Sequence, residues 1–459
     1  MLLKVGRATR TSLGRTSDED VASTRRGARL FFPSRLGVFF GTLVRVENRL
    51  IIFTRYPAPG TTKTRLIPSL GAEGAAALQR AMTEHAVRQA LRANARVEVR
   101  YEGGSAERMR EWLGSDIAYV EQGAGDLGER MARAFAENFE KRPGPVLIMG
   151  ADCPTNDGKN LQDAFEALKT SDCVIGPATD GGYYLIGTKV PCPALFEGIE
   201  WGSAHVLSRT RAAAEAAGLS VHPLPELSDV DLPEDVPPRI SVVIPTLGEE
   251  EMLSRVIGRC REGFGVEVIV ADGGGADRSL EAAVGARVIE VEGGRAAQQN
   301  AGAKAADGDV LLFLHADTML PERWDWIVRE ALSDPTVALG AFSFKVREEI
   351  RGVKFIEQTT NQRSRGGRMP YGDQGLFLRR EMFEKVGGFP DLPIMEDYAI
   401  VRALGAVGEI VTVPEAAVTS GRRWLKHGVF KVTLVNKLMI AGYHLGVAPE
   451  KLARFYRRA

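Results

Sequence analysis

The chain has 459 residues, of which 44% are hydrophobic and 26% charged, with 59 basic side chains balanced by 59 acidic ones. That length points to two or three domains, and the even balance excludes a global field that would favour nucleic acid or membrane. Four cysteines (Cys153, Cys173, Cys192 and Cys260) show no metal-binding spacing, which fits free thiols in a reducing cytoplasm better than a disulfide framework.

Residues 1–47 are rich in Arg, Ser and Thr and keep no period. They read as a disordered extension outside the fold, with a targeting segment as the alternative. From Arg49 the pattern becomes regular. Leu50–Thr54, Arg96–Tyr101, Val146–Gly150, Cys173–Gly176 and Tyr183–Gly187 read as strands. Ala72–Ala93, Leu127–Phe139, Lys159–Lys169 and Ser203–Ala217 read as helices between them. Such alternation means crossover units and a largely parallel sheet. The acidic, proline-rich stretch from Asp229 to Pro238 reads as a boundary, which places a first domain at 48–236.

Past that stretch the pattern restarts, over 239–459. Ile240–Ile244, Val266–Ala271, Arg287–Val291 and Val310–Leu314 read as strands. Glu249–Cys260, Asp277–Ala283, Arg295–Ala306 and Pro321–Leu332 read as helices. Gly340–Val346, Gly375–Leu378 and Ile410–Val413 are shorter strands beside long polar loops. An apolar helix from Val429 and a basic one close the chain. The apolar run is broken by Lys431, Asn436, Lys437 and His444, so it falls short of the ~18–20 apolar residues of a membrane span.

Two apolar strands run into an Ala-Asp pair, ending at Asp152 and at Asp317. A carboxylate at the carboxyl end of a buried parallel strand stands where open α/β sheets bind ligands, and it can anchor a divalent cation on nucleotide phosphates. In the second half Asp272 follows a strand and precedes three glycines, which on this fragment alone reads as a plain Asp-Gly turn, with close approach of a ligand as the alternative. In the first half Lys63 and Arg65 lie on a Pro/Gly loop before a helix. They make either a phosphate clamp or a solvated basic loop.

The ordered series in the second half comprises Pro245-Thr-Leu-Gly-Glu-Glu-Glu251, Ala271-Asp-Gly-Gly-Gly-Ala-Asp277, Gly294-Arg-Ala-Ala-Gln-Gln-Asn300 and Leu314-His-Ala-Asp-Thr318. Gly372-Asp-Gln-Gly375, Met395-Glu-Asp-Tyr398 and Gly421-Arg-Arg-Trp424 complete it. With these motifs the segment 239–459 resembles the inverting family-two glycosyltransferases of GT-A fold, and most of all the branch associated with arsenosugar biosynthesis. The resemblance implies donor contacts from Glu249, Asp272, Arg295, Asn300, Arg423 and Trp424, with Asp277 capping a helix or holding the ribose. It implies Asp317 as metal ligand and His315 as a spacer or second-sphere group. It implies Asp397, beside Glu396, as general base, with Asp373 and Gln374 on the acceptor side. Gly248 stands where the family carries Asn.

In the first half Lys63-Thr-Arg-Leu66, Gly150-Ala-Asp-Cys-Pro154, Asp180-Gly-Gly182 and Asp229-Val-Asp231 form a second series. It resembles a GT-A-like family related to the 2-phospho-lactate and molybdenum-cofactor guanylyltransferases. The resemblance implies Asp152 and Asp231 as metal ligands, Lys63 and Arg65 on phosphate, and Asp180 at a second-substrate pocket. The expected fold is therefore α/β, with two tandem nucleotide-diphospho-sugar-transferase-like domains and mostly parallel sheets. The expected function is metal-dependent glycosyl transfer from a nucleotide sugar to an acceptor hydroxyl, with Mg2+ or Mn2+ as cofactor. The expected partners are the nucleotide-sugar donor and a small-molecule or lipid acceptor, with no nucleic acid. The alternatives are a bifunctional nucleotidyltransferase–glycosyltransferase, and a peripheral-membrane enzyme with a silent first domain.

Overall fold

The computed structural model describes residues 47–247, 250–274 and 283–458. The expectations placed on residues 1–46, Gly248, Glu249, Asp277 and most of the helix Asp277–Ala283 lie outside that set.

The first sheet holds β1 (Arg49–Arg55), β2 (Arg96–Glu102), β3 (Ala118–Glu121), β4 (Val146–Gly150), β5 (Cys173–Pro177), β6 (Tyr183–Thr188) and β7 (Val221–Pro223), in the order β3-β2-β1-β4-β6-β5-β7. The second holds β8 (Ile240–Thr246), β9 (Val266–Asp272), β10 (Arg287–Glu290), β11 (Val310–Phe313), β12 (Val337–Val346), β13 (Leu376–Arg379) and β14 (Glu409–Thr419), in the order β10-β9-β8-β11-β13-β12-β14. Each label in the second order is seven above its counterpart in the first, so the two sheets have one topology. The reversed strand is also shared: β6 is antiparallel to β4 and β5, and β13 to β11 and β12.

The central strands are buried along their length, β5 and β8 at every residue. This is why they read as continuous apolar runs, since helices cover both sheet faces. In each sheet the strand order reverses between the first strand and the fourth, β1/β4 and β8/β11. Crevices at such points receive ligands in open α/β sheets. Asp152 and Asp317 follow β4 and β11 there.

Several elements differ from expectation. A short turn over 67–70 precedes the first long helix, and Gly71 (φ 71°, ψ 168°) separates it from the expected helix that continues from Ala72. The helix expected from Pro321 starts at Trp324. Ala106–Leu113, β3, β7, Val353–Gly366 and Glu396–Gly405 form where no element was predicted. They are short, edge-placed or polar, and so lack a strong apolar period. The closing segment is two helices, Val429–His444 and Pro449–Arg458. Among the described residues no helix is long and apolar enough to cross a membrane.

The halves share a hydrophobic junction. Phe264, in the loop before β9, stacks on Trp326 (6.3 Å, 6°) and meets the edge of His85 from the first long helix (5.6 Å). It packs with Leu66, Ala75, Met82 and Val230. Arg92–Glu262 (2.8 Å) and Arg323–Asp157 (3.0 Å) flank it.

Candidate active site

In the first half the loop after β1 delivers Lys63 in a left-handed backbone conformation (φ 45°, ψ 48°). Its Nζ donates to Asp231 Oδ1 at 2.6 Å and reaches Asp152 Oδ2 at 3.5 Å, while Arg65 reaches Asp231 Oδ2 at 3.3 Å. Burial opposes the Lys63 charge, but the attraction of Asp152 and the hydrogen bond to Asp231 prevail and raise its pKa. Lys63, Arg65, Asp152 and Asp231 are thus brought together. The acidic stretch expected as a boundary carries part of this site, and Val230 N–H donates to the Asp152 carbonyl (2.9 Å).

Asp229 is the residue that sequence reasoning did not single out. Carboxylate oxygens of Asp152, Asp229 and Asp231 lie within 4.8 Å of one another. Burial, followed by the charges of Asp180 and Asp152, pushes the Asp229 carboxyl up to about 6. The pattern Asp229-Val230-Asp231 held the signal: alternation in an extended segment sends both acids to one side and Val230 into the core. Three converging carboxylates are a hard oxygen donor set that fits Mg2+ or Mn2+. Asp180 Oδ1 accepts from Gly182 N–H (2.8 Å), which fixes the turn before β6.

In the second half Leu314, His315 and Ala316 lead from the end of β11 to Asp317. Arg422 reaches Asp317 Oδ2 at 3.4 Å, and Arg347 reaches the Asp317 carbonyl at 3.3 Å. Asp397 lies in the first turn of the helix Glu396–Gly405. Its Oδ2 accepts from Gly372 N–H (3.0 Å) and its Oδ1 from Tyr398 N–H (2.7 Å), so the backbone fixes its orientation. A Cβ on Gly372 would lie 3.1 Å from His315 Nε2 and 3.3 Å from Asp397 Oδ2. Glycine there keeps a narrow gap open between imidazole and carboxylate. Burial, with the Arg295 charge behind it, drops the His315 pKa to about 3, so the ring is neutral and able to accept.

Asp373 completes the cluster. Its Oδ1 is buried without a hydrogen-bond partner, and burial together with Asp397 and Asp317, against the relief from Arg363, pushes its carboxyl up to about 6. Asp373 therefore feels the charges of both Asp397 and Asp317. Glu396 is buried and ion-paired to Arg295 (3.6 Å); burial first and Asp397 second raise its pKa. Asp272 ends β9 with Oδ2 accepting from Gly274 N–H (3.3 Å) and Oδ1 buried and unpartnered, a spare acceptor beside the switch point.

Other expected contacts go elsewhere. Asn300 does not present its amide to a donor pocket: Nδ2 donates to the Phe389 carbonyl (2.8 Å) and Oδ1 accepts from Phe389 N–H (2.9 Å). Gln374 is wholly buried, with Nε2 on the Phe342 carbonyl (2.9 Å) and Ser364 Oγ (3.0 Å), so it braces the turn rather than facing an acceptor. Arg423 stacks over Tyr456 (3.9 Å) and Trp424 packs edge-on against Phe344 (6.0 Å). Within Gly421-Arg-Arg-Trp424 it is Arg422 that meets the Asp317 carboxylate. Arg423 and Trp424, next to it in the short helix Arg422–His427, are half-buried.

Comparison with known proteins follows this division. Residues 241–387 match the family described as glycosyl transferase family 2, and residues 85–203 match an uncharacterized protein family conserved in bacteria, DUF2064. A crystal structure from Desulfovibrio desulfuricans, of a protein assigned as a nucleotide-diphospho-sugar transferase, is 38% identical over 41% of this chain and 83% of its own length, with a TM-score of 0.40. A mannosyltransferase from Pyrobaculum calidifontis, solved with GDP-Man and Mn2+, is 20% identical over 40% of this chain and 57% of its own (TM-score 0.31). The S. aureus protein TarS, residues 1–349 with UDP-GlcNAc, is 15% identical over 40% of this chain and 58% of its own (TM-score 0.32). The chain therefore spans little more than half the length of these two solved chains. The search of curated proteins finds no match. The chain thus carries a family 2 glycosyltransferase domain in its second half and a DUF2064 domain in its first.

Proposed function

We propose that the second half transfers a glycosyl group, with inversion, from a nucleotide-diphosphate sugar to an acceptor hydroxyl. The observation that carries this reading is the Asp397 carboxylate, oriented by the Gly372 and Tyr398 N–H groups and set beside Asp373 and the Asp317 strand end. Asp397 takes the proton of the acceptor hydroxyl as that oxygen attacks the anomeric carbon. Asp272 offers its unpartnered oxygen to a donor N–H or O–H of the nucleotide. Arg422 stands next to Asp317, where a guanidinium can accompany the diphosphate. Asp317, with neutral His315 nearby, would hold the divalent cation; when bound, that ion supplies charge stabilisation on the leaving diphosphate.

Asp397→Asn is expected to retain donor binding and to lower transfer by roughly 10²- to 10⁴-fold, the usual worth of a general base. Asp317→Ala is expected to lose the Mn2+-dependent part of donor binding. Thermal shift with UDP-, GDP- and dTDP-sugars, with and without Mn2+, measures binding, and product formation measures transfer. A fully active Asp397→Asn enzyme sinks the base assignment.

For the first half, the three-carboxylate cluster closed by Lys63 supports binding of a nucleoside phosphate together with a divalent cation, and so a nucleotidyltransferase role. The resemblance of this half's motif series to guanylyltransferase-like proteins, and of the second half's to arsenosugar-forming transferases, supports that reading. A bifunctional chain would then make or handle an activated donor and use it. Pyrophosphate release by the full-length protein, tested with each NTP, sugar phosphates and Mg2+, is expected and is expected to vanish in Lys63→Met. No release under any combination removes the activation idea and leaves a binding module.

A further inference from the structure

The helix Val429–His444 is apolar on two sides, and only one of them is covered. Val432, Val435 and Met439 are buried, the last among Met395, Tyr398 and Leu452. On the opposite side Phe430, Leu434, Leu438, Ala441 and Leu445 recur every three or four residues and so share one face. Phe430 is 82% exposed and Leu445 83%. Leu425 and Phe455 extend the exposed apolar surface before and after the helix.

All but one of the charges along this segment are basic. Lys426, Lys431, Lys437, Lys451, Arg454, Arg457 and Arg458 are exposed, and Glu450 is the sole acid from Gly421 to Arg458. In a protein of zero formal charge this is a strong local departure. A bare apolar stripe bordered by Lys and Arg has the composition of a helix that lies in the interface of a membrane. Two such faces from two copies of the chain would bring like charges together, whereas anionic headgroups complement them.

We infer that the outer face of Val429–His444, with its basic border, docks on the surface of an anionic lipid bilayer. The helix is tied to the second half near both ends. Arg422, just before it, pairs with Asp317 (3.4 Å), and His444 Nε2 is 2.6 Å from the hydroxyl of Tyr398, the neighbour of Asp397. Docking would therefore set the transferase half against the lipid surface without any spanning segment.

Flotation of the full-length protein with phosphatidylcholine vesicles, with and without phosphatidylglycerol, tests this. The expected result is recovery with the phosphatidylglycerol vesicles only, weakened at high salt. Lys431→Glu with Lys437→Glu is expected to lower that binding by at least about tenfold. Phe430→Ser with Leu434→Ser and Leu438→Ser is expected to abolish it while far-UV circular dichroism stays unchanged. Should the triple variant misfold, the charge-reversal pair decides, because both lysines are exposed. Absence of flotation with anionic vesicles overturns the inference. A wild-type dimer by light scattering that the apolar variant turns into a monomer, with no vesicle binding, overturns it in favour of a second copy.

Discussion

Asp373 sits among groups that oppose its ionisation. Burial is the largest influence, Asp397 and Asp317 add to it, and Arg363 offsets them only in part, leaving the carboxyl at about 6. Its folded pKa is thus above the unfolded value near 3.9. The sign follows: the stability gained from the bound proton is fully present below the unfolded pKa and is lost as pH rises through about 6. Asp373→Asn cannot ionise, so its melting temperature is expected to fall less than that of the wild type between pH 4.5 and 7.5. A difference of the order of 1 kcal/mol would appear as roughly 2–4 °C. Melting curves across that range check it, and parallel pH profiles for the two proteins would show that Asp373 does not carry the shift. An enzyme that keeps this carboxyl close to Asp397 holds an unfavourable charge cluster at its site, a cost that functional clusters commonly bear.

Individual elements show why some of this was legible in the sequence and some was not. The central strands β1, β4, β8 and β11 are covered on both faces and therefore stand out as apolar runs. Edge strands β3 and β7 are short and largely unburied, so nothing in their composition marks them. The site carboxylates at strand ends were visible because a strand followed by Ala-Asp is a local pattern. Asp229 was less so, since its partner Asp152 lies far away in sequence and only the fold joins them. Long-range partners also explain Asn300 and Gln374. Their polarity suits a pocket, yet their amides satisfy backbone groups of Phe389 and Phe342 that would otherwise be buried unpaired. Arg422 and Arg423 are adjacent and identical in type. Helical geometry sends one to Asp317 and the other to Tyr456, a distinction no spacing in the motif reports.

At the scale of the molecule, two sheets of one topology meet through Phe264, and the packing behind that side chain reaches the first site. Leu66 follows Arg65, and Val230 separates Asp229 from Asp231; both lie in the cluster that Phe264 fills. The loop carrying Phe264 is itself held by charge. Asp325 accepts from Phe264 N–H (2.9 Å), and Arg329 bonds Asp325 (3.0 Å), the Phe264 carbonyl (2.6 Å) and the Pro238 carbonyl (3.0 Å). The ring thus projects from an anchored base in one half into a pocket of the other, and the two halves are expected to unfold together. Phe264→Ala leaves a cavity at the junction, at a cost of about 3–5 kcal/mol. Because the loss falls on the contact between halves and spares each sheet, calorimetry is expected to resolve the single transition into two. The nucleotide binding proposed for the first half should also weaken as Leu66 and Val230 relax. A single transition at the wild-type temperature would mean that the junction contributes little and that the halves are joined by the chain alone.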